Sequence, residues 1–204
     1  MPYDHIGVIG AGAWGTALAL VAAQAGRKVT LWAREAEIVD SVRTAHENCL
    51  FLPGISLPET IAATGDLTVA SKADALLVVV PAQHLRGILS TLKPATKAPL
   101  VLCAKGIERD SGKLVTEILS ECAPDAEPAI LSGPSFAKDV ARHLPTAVTI
   151  AAKADIAARL QATLGHLTFR PYASDDLVGV ALGGAAKNVY AIACGIVAGM
   201  GLGE

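Results

Sequence analysis

The 204-residue sequence has no excess of charge of either sign: 17 Lys and Arg against 19 Asp and Glu leave a formal net charge of −2. Lacking a basic surplus to neutralise a phosphate backbone, it is not expected to bind nucleic acid. Aromatic residues are scarce, at 4%, and charged residues make up only 18%. The 52% that is hydrophobic excludes a disordered chain. That fraction is mostly Ala, Val, Leu and Ile, which suits helices packed closely on a parallel sheet. Cysteines are few and far apart: Cys49, Cys103, Cys122 and Cys194 form neither a CxxC nor a CxxH pattern. A disulfide framework or zinc site is therefore not expected. His5, His46, His84, His143 and His166 show no metal-ligand spacing and read as structural or exposed. No basic segment precedes an apolar one at the N-terminus, so no signal peptide is read and the expected location is the cytoplasm.

Strand-like and helix-like segments alternate along the chain. Strands are expected at 6–9, 29–32, 75–80, 100–104 and 129–132, with weaker ones at 147–151 and 167–172. The run from Ala75 to Val80 is apolar on both faces, as a central parallel strand requires. Helices are expected at 13–25, 36–47, 85–92, 112–122 and 155–164. Such alternation predicts an open, mostly parallel α/β sheet. A boundary is expected near 173–176, where Ser174 or Asp175 is placed to cap a long helix.

The strongest local motif is Gly10-Ala11-Gly12-Ala13-Trp14-Gly15, which follows the first strand and opens an Ala/Leu-rich helix. In that context GxGxxG is a dinucleotide-binding fingerprint of the Rossmann type. Gly10 permits the tight turn, Gly12 the approach of a pyrophosphate, and Gly15 the close helix–strand contact. Ala13 and Trp14 open the helix, whose free N–H groups favour phosphate. After the second strand come Arg34 and Glu35. An acidic residue here binds the ribose hydroxyls of NAD, and an arginine accommodates the phosphate of NADP. Arg34 stands nearer the strand end, which leans towards NADP and leaves NAD open.

Three further loops, 80–84, 104–108 and 132–137, each follow a predicted strand and share the fingerprint's edge if the sheet is parallel. Ligands of open α/β sheets bind along that edge. Lys105 would place a point charge there for a phosphate or a developing alkoxide. Gly133 and Ser135 would offer backbone and hydroxyl groups to a small polar ligand.

The stretch 177–203 is long and apolar enough to suggest a bilayer span, but Lys187 and Asn188 stand in its middle. A central lysine costs about 2.5–3.5 kcal/mol on insertion, so the stretch reads as a buried helix carrying a functional lysine. On that helix Gly184, Asn188, Ala191, Gly195 and Gly199 line one face as a stripe of small residues. Lys187 stands beside the stripe, where desolvation should lower its pKa towards the range useful for carbonyl reduction.

Taken together, the stretches 8–19 (VIGAGAWGTALA), 51–53 (FLP), 78–81 (VVVP), 104–108 (AKGIE), 132–137 (SGPSFA) and 182–189 (LGGAAKNV) resemble the bacterial NAD(P)-dependent glycerol-3-phosphate dehydrogenases. The fingerprint is common to many dehydrogenases; the combination of KGIE, SGPSFA and GGAAKNV is more specific. The resemblance implies reversible hydride transfer between NAD(P)H and dihydroxyacetone phosphate, giving sn-glycerol 3-phosphate for phospholipid synthesis. It further implies Lys187 as general acid/base, Lys105 in contact with substrate and cofactor, and Gly133 and Ser135 in contact with substrate. Ala13, Trp14, Arg34, Lys105 and Ala137 would border the dinucleotide. It also implies a Rossmann domain over 1–173 and, at 174–204, the first helix of an all-helical substrate domain not included in these residues, so that little activity is expected here. The apolar face of that helix would need a partner, and a homodimer is one option. The competing readings are a hydroxyacyl-CoA or sugar-acid dehydrogenase, which share the fold, and a cofactor-sensing module without chemistry.

Overall fold

A computed structural model describes residues 1–92 and 98–202. The first half of the chain runs β1 (His5–Ile9), α1 (Ala13–Gln24), β2 (Lys28–Trp32), α2 (Ala36–Ala45), β3 (Glu47–Asn48), β4 (Leu52–Ser56), β5 (Ile61–Thr64), α3 (Leu67–Ala70), β6 (Ala75–Val78) and α4 (Ala82–Thr91). It continues through β7 (Pro99–Leu102), α5 (Val115–Cys122), β8 (Glu127–Ser132), α6 (Ala137–Ala141), β9 (Thr146–Ala152), α7 (Ala154–Leu164), β10 (Phe169–Ser174) and α8 (Leu177–Gly199).

Eight strands form one sheet in the order β10-β9-β8-β7-β6-β1-β2-β5. All neighbouring pairs are parallel except β8 and β9, which are antiparallel. The chain leaves β1 towards β2 on one side and returns to place β6 on the other. A crevice opens at that reversal of strand order, beyond the carboxyl ends of the strands. Alternation along the central strands feeds two cores. Val8, Leu31, Leu77 and Val101 face the layer that holds α1, while Leu76, Val78, Leu100 and Leu102 face the layer with α4 and α5. The doubly wound, mostly parallel sheet expected from the sequence is present.

The differences have local causes. β6 stops at Val78 and not Val80, because Val79 and Val80 leave the ladder to wall the crevice. α2 ends at Ala45, with His46 in a left-handed conformation, φ 50°. The hairpin β3–β4, the edge strand β5 and the short helices α3 and α6 went unread, being too short to show periodicity. The cap of α8 is Asp176, whose carboxylate accepts from Gly179 N at 2.7 Å; Ser174 closes β10 and accepts from Asp176 N.

Candidate active site

At the carboxyl ends of β1, β2, β6 and β7 lies a cavity of about 500 Å³, walled by the fingerprint from Gly10 to Gly15, by Trp32, Arg34 and Glu35, and by Val79, Pro81, His84 and Ala104, among others. The sterics of the three glycines divide the work. Gly10 sits at φ 115°, in the left-handed region open to glycine. A Cβ on Gly15 would fall on the Gly10 carbonyl oxygen, so α1 meets β1 only because that atom is missing. A Cβ on Gly12 would meet nothing within 4 Å. Its absence leaves room at the opening of α1, where unpaired N–H groups and the helix dipole favour a pyrophosphate. The turn is pinned from outside by Asn48, fully buried, whose Nδ2 donates to Ala11 O at 2.8 Å and to Thr16 Oγ1 at 2.7 Å. Asn48 Oδ1 accepts from Phe51 N, which sets Phe51 on the cavity wall.

A second cavity of about 310 Å³ is lined by Lys105, Ser132, Gly133, Thr149, Gly184 and Lys187, with Pro134, Val180 and Gly183. Ala104 walls the first cavity and Lys105 the second, so the two sites are one peptide bond apart. Lys105 is half-buried and donates from Nζ to Gly133 O at 2.7 Å. Burial, aided by the neighbouring Lys187 ammonium, lowers its pKa from the usual lysine value. Close packing permits the geometry: a Cβ on Gly184 would lie 2.8 Å from Ser132 Oγ, and one on Gly133 about 3.0 Å from β9. Lys187 Nζ lies 5.9 Å from the centre of the Phe136 ring. Ser135 Oγ is buried without a hydrogen-bond partner. Two ammonium groups on one small cavity suit a small anionic ligand.

The residues 5–158 match the family described as NAD-dependent glycerol-3-phosphate dehydrogenase N-terminus, and 176–204 match its C-terminus. The chain belongs to this family. It is 60% identical, over its whole length, to a glycerol-3-phosphate dehydrogenase [NAD(P)+] of Parvibaculum lavamentivorans, and spans 62% of that protein. A crystal structure of glycerol-3-phosphate dehydrogenase from Coxiella burnetii superposes on the whole chain with a TM-score of 0.89 at 36% identity, the chain covering 63% of it. A UDP-D-ManNAc dehydrogenase from Pyrococcus horikoshii, at 12% identity and a TM-score of 0.71 over 91% of this chain and 50% of its own, shares the fold alone.

Within this member of the glycerol-3-phosphate dehydrogenase family, Gly10, Gly12, Ala13, Trp14, Gly15 and Arg34 gather on the first cavity, and Lys105, Gly133 and Lys187 on the second. Ser135 and Ala137 wall neither. Lys187 is half-buried, like Lys105, because α8 is exposed from Asn188 onward. The small-residue stripe makes close contact at Gly184 alone; Gly195 and Gly199 face open space. His84, read as structural or exposed, is exposed and also lines the first cavity. Trp32, Phe51, Pro81, Cys103 and Asn48 were not singled out as site residues. Position at a strand's carboxyl end marks Trp32 and Cys103, and Phe51 lies in the FLP stretch, whereas nothing local marks Asn48. The four cysteines are unpaired thiols, and burial pushes the Cys103 thiol well up. Among the described residues no three His, Cys, Asp or Glu side chains gather as metal ligands do. Among the described residues one helix, α8, is long and apolar enough to cross a membrane; its first turns pack on β8, β9 and α5.

Proposed function

We propose that the protein is a glycerol-3-phosphate dehydrogenase using NADP or NAD, and that this chain carries its cofactor site and the first half of its substrate site. The observation that carries the reading is the adjacency of the fingerprint cavity and the two-lysine cavity across Ala104–Lys105. The unfilled space at Gly12 fits a dinucleotide pyrophosphate. When bound, the nicotinamide supplies or accepts the hydride. Lys187 then gives a proton to the carbonyl oxygen of dihydroxyacetone phosphate as the alcohol forms, and takes it back in reverse. Lys105, oriented by Gly133 O, holds the substrate against the cofactor as a point charge. Ser135 contributes its unpartnered hydroxyl once substrate or cofactor reshapes the 132–137 loop, and Ala137 borders the cofactor.

We assign residues 1–173 to the dinucleotide-binding domain and 174–204 to the beginning of the helical substrate domain, a division that the two family matches support. The unpaired cysteines fit the cytoplasm. A homodimer would use the exposed apolar face of α8. The 204-residue chain is expected to bind NADPH or NADH and to turn over poorly. In the complete protein, Lys187→Ala is expected to lower kcat by about 10²- to 10⁴-fold with cofactor affinity nearly unchanged. Measurement of NADPH oxidation driven by dihydroxyacetone phosphate checks this, and near-normal turnover would remove Lys187 from the chemistry.

A further inference from the structure

One wall of the two-lysine cavity is the antiparallel pair β8–β9, where Ser132 stands directly opposite Thr149. Residues opposite each other in such a pair share one face of the sheet, with Cβ atoms about 4.5–5.5 Å apart. Ile130 and Ala151, two residues away along each strand, belong to the core that also holds Ala181 of α8. By the two-residue period of a strand, Ser132 and Thr149 point to that same side. Both line the cavity beneath α8, and a Cβ on Gly184 of that helix would lie 2.8 Å from Ser132 Oγ.

The lining divides by hydrogen-bonding capacity. The Lys105 and Lys187 ammonium groups are donors only. Apart from the lysines and the two hydroxyls, the lining is glycine, proline and valine. The Gly133 carbonyl already accepts from Lys105 Nζ at 2.7 Å. Among the described residues, Ser132 and Thr149 are thus the side chains on this cavity that accept a hydrogen bond. A ligand that is only anionic is served by the lysines alone. A ligand that also carries a free hydroxyl needs an acceptor for its proton, which no ammonium group supplies. A site built to pair a substrate hydroxyl discriminates against the analogue that lacks it. We infer that Ser132 and Thr149 are specificity-determining residues: their hydroxyls accept from the free hydroxyl of dihydroxyacetone phosphate. They thereby set it apart from acetol phosphate, the same ketone with a methyl group in place of the hydroxymethyl. This rests on the two-lysine cavity being the substrate site.

The test compares reduction of dihydroxyacetone phosphate and of acetol phosphate by the complete protein, unaltered and as Ser132→Ala, Thr149→Val and the double variant. Each replacement removes a hydroxyl without adding bulk, and a melting curve checks that each variant is folded. The kcat/KM ratio of the first substrate to the second is expected to fall about ten-fold in the double variant, the scale of one good hydrogen bond. If the double variant does not fold, the single variants decide, each with an expected fall of about three-fold. Equal losses on both substrates would leave the ratio unchanged and overturn the inference while leaving the substrate site standing. Equal reduction of the two substrates by the unaltered protein would overturn it as well. Failure of the unaltered complete protein to reduce dihydroxyacetone phosphate with either cofactor would overturn the proposed function and this inference with it.

Discussion

Gly12 and Gly15 look equivalent in the sequence and are opposites in the structure. A methyl group on Gly15 collides with the Gly10 backbone, whereas one on Gly12 projects into free space. Gly15→Ala is therefore expected to destabilise the chain by about 2 kcal/mol or more, a melting-temperature loss of roughly 4–8 °C at this size. Gly12→Ala is expected to leave the melting temperature within a degree or so, or to raise it slightly, since replacing glycine within a helix's reach restricts the unfolded chain. Thermal melts of the two variants side by side decide it; equal losses would mean that Gly12 too is structural. The glycines were legible because the motif's steric logic is local. Asn48 was not, since its two bonds to Ala11 and Thr16 span more than thirty residues. The lysine environments were legible only in outline: the sequence placed Lys105 at the sheet's ligand-binding edge and Lys187 on the long helix, but burial depends on how that helix lies over the edge, and it is at Lys105 that burial lowers the pKa.

Elements that hold the site rather than form it show how it keeps its shape. α4 presents His84 and Ile88 to the fingerprint cavity and grips the Lys105 loop with other side chains. Gln83 donates to Ile107 O and accepts from Arg109 N. Arg86 binds both oxygens of Glu108 and reaches Glu121 on α5, while Ser111 also donates to Glu108. The hydrogen bonds from Arg86 and Ser111 lower the Glu108 carboxyl from the ordinary 4.5 to about 2. A carboxyl more acidic in the folded chain stabilises it above the unfolded pKa and loses that contribution as pH falls through the folded one. The melting temperature of the unaltered chain should thus fall between about pH 4.5 and pH 2. Glu108→Gln should melt lower than the unaltered chain near neutrality, fall less steeply in acid, and converge with it near pH 2. Parallel curves would show that the clamp carries no stability. This network went unread because Arg86, Glu108 and Glu121 lie on three segments. The long strands and helices were read nearly to their ends, while β3, β4 and α6 are too brief to carry a period.

At the scale of the molecule, the fingerprint crevice is built from strand ends and from α1 and α4, whereas the second site is walled on one side by a long helix that is exposed from Asn188 onward. Val189, Tyr190, Ile192 and Ile196 are each more than half exposed. An apolar face of that extent should associate. The 204-residue chain is expected to show concentration-dependent dimerisation by sedimentation, abolished by Ile192→Lys with Ile196→Lys, and a monomer at every concentration would contradict it. Composition foretold an aliphatic core of helices packed on a sheet, and the switch in strand order explains why loops distant in sequence meet at one crevice. The antiparallel turn of β9 was beyond the sequence, since a short apolar strand reads the same in either direction. All of this converges on one claim, that the crevice binds a nicotinamide dinucleotide through the space at Gly12. Fluorescence titration of NADPH against the chain and against Gly12→Ala tests it most directly. The account predicts saturable binding of one cofactor per chain and an affinity at least about ten-fold weaker in the folded variant. No saturable binding, or equal affinity in the two proteins, would contradict it.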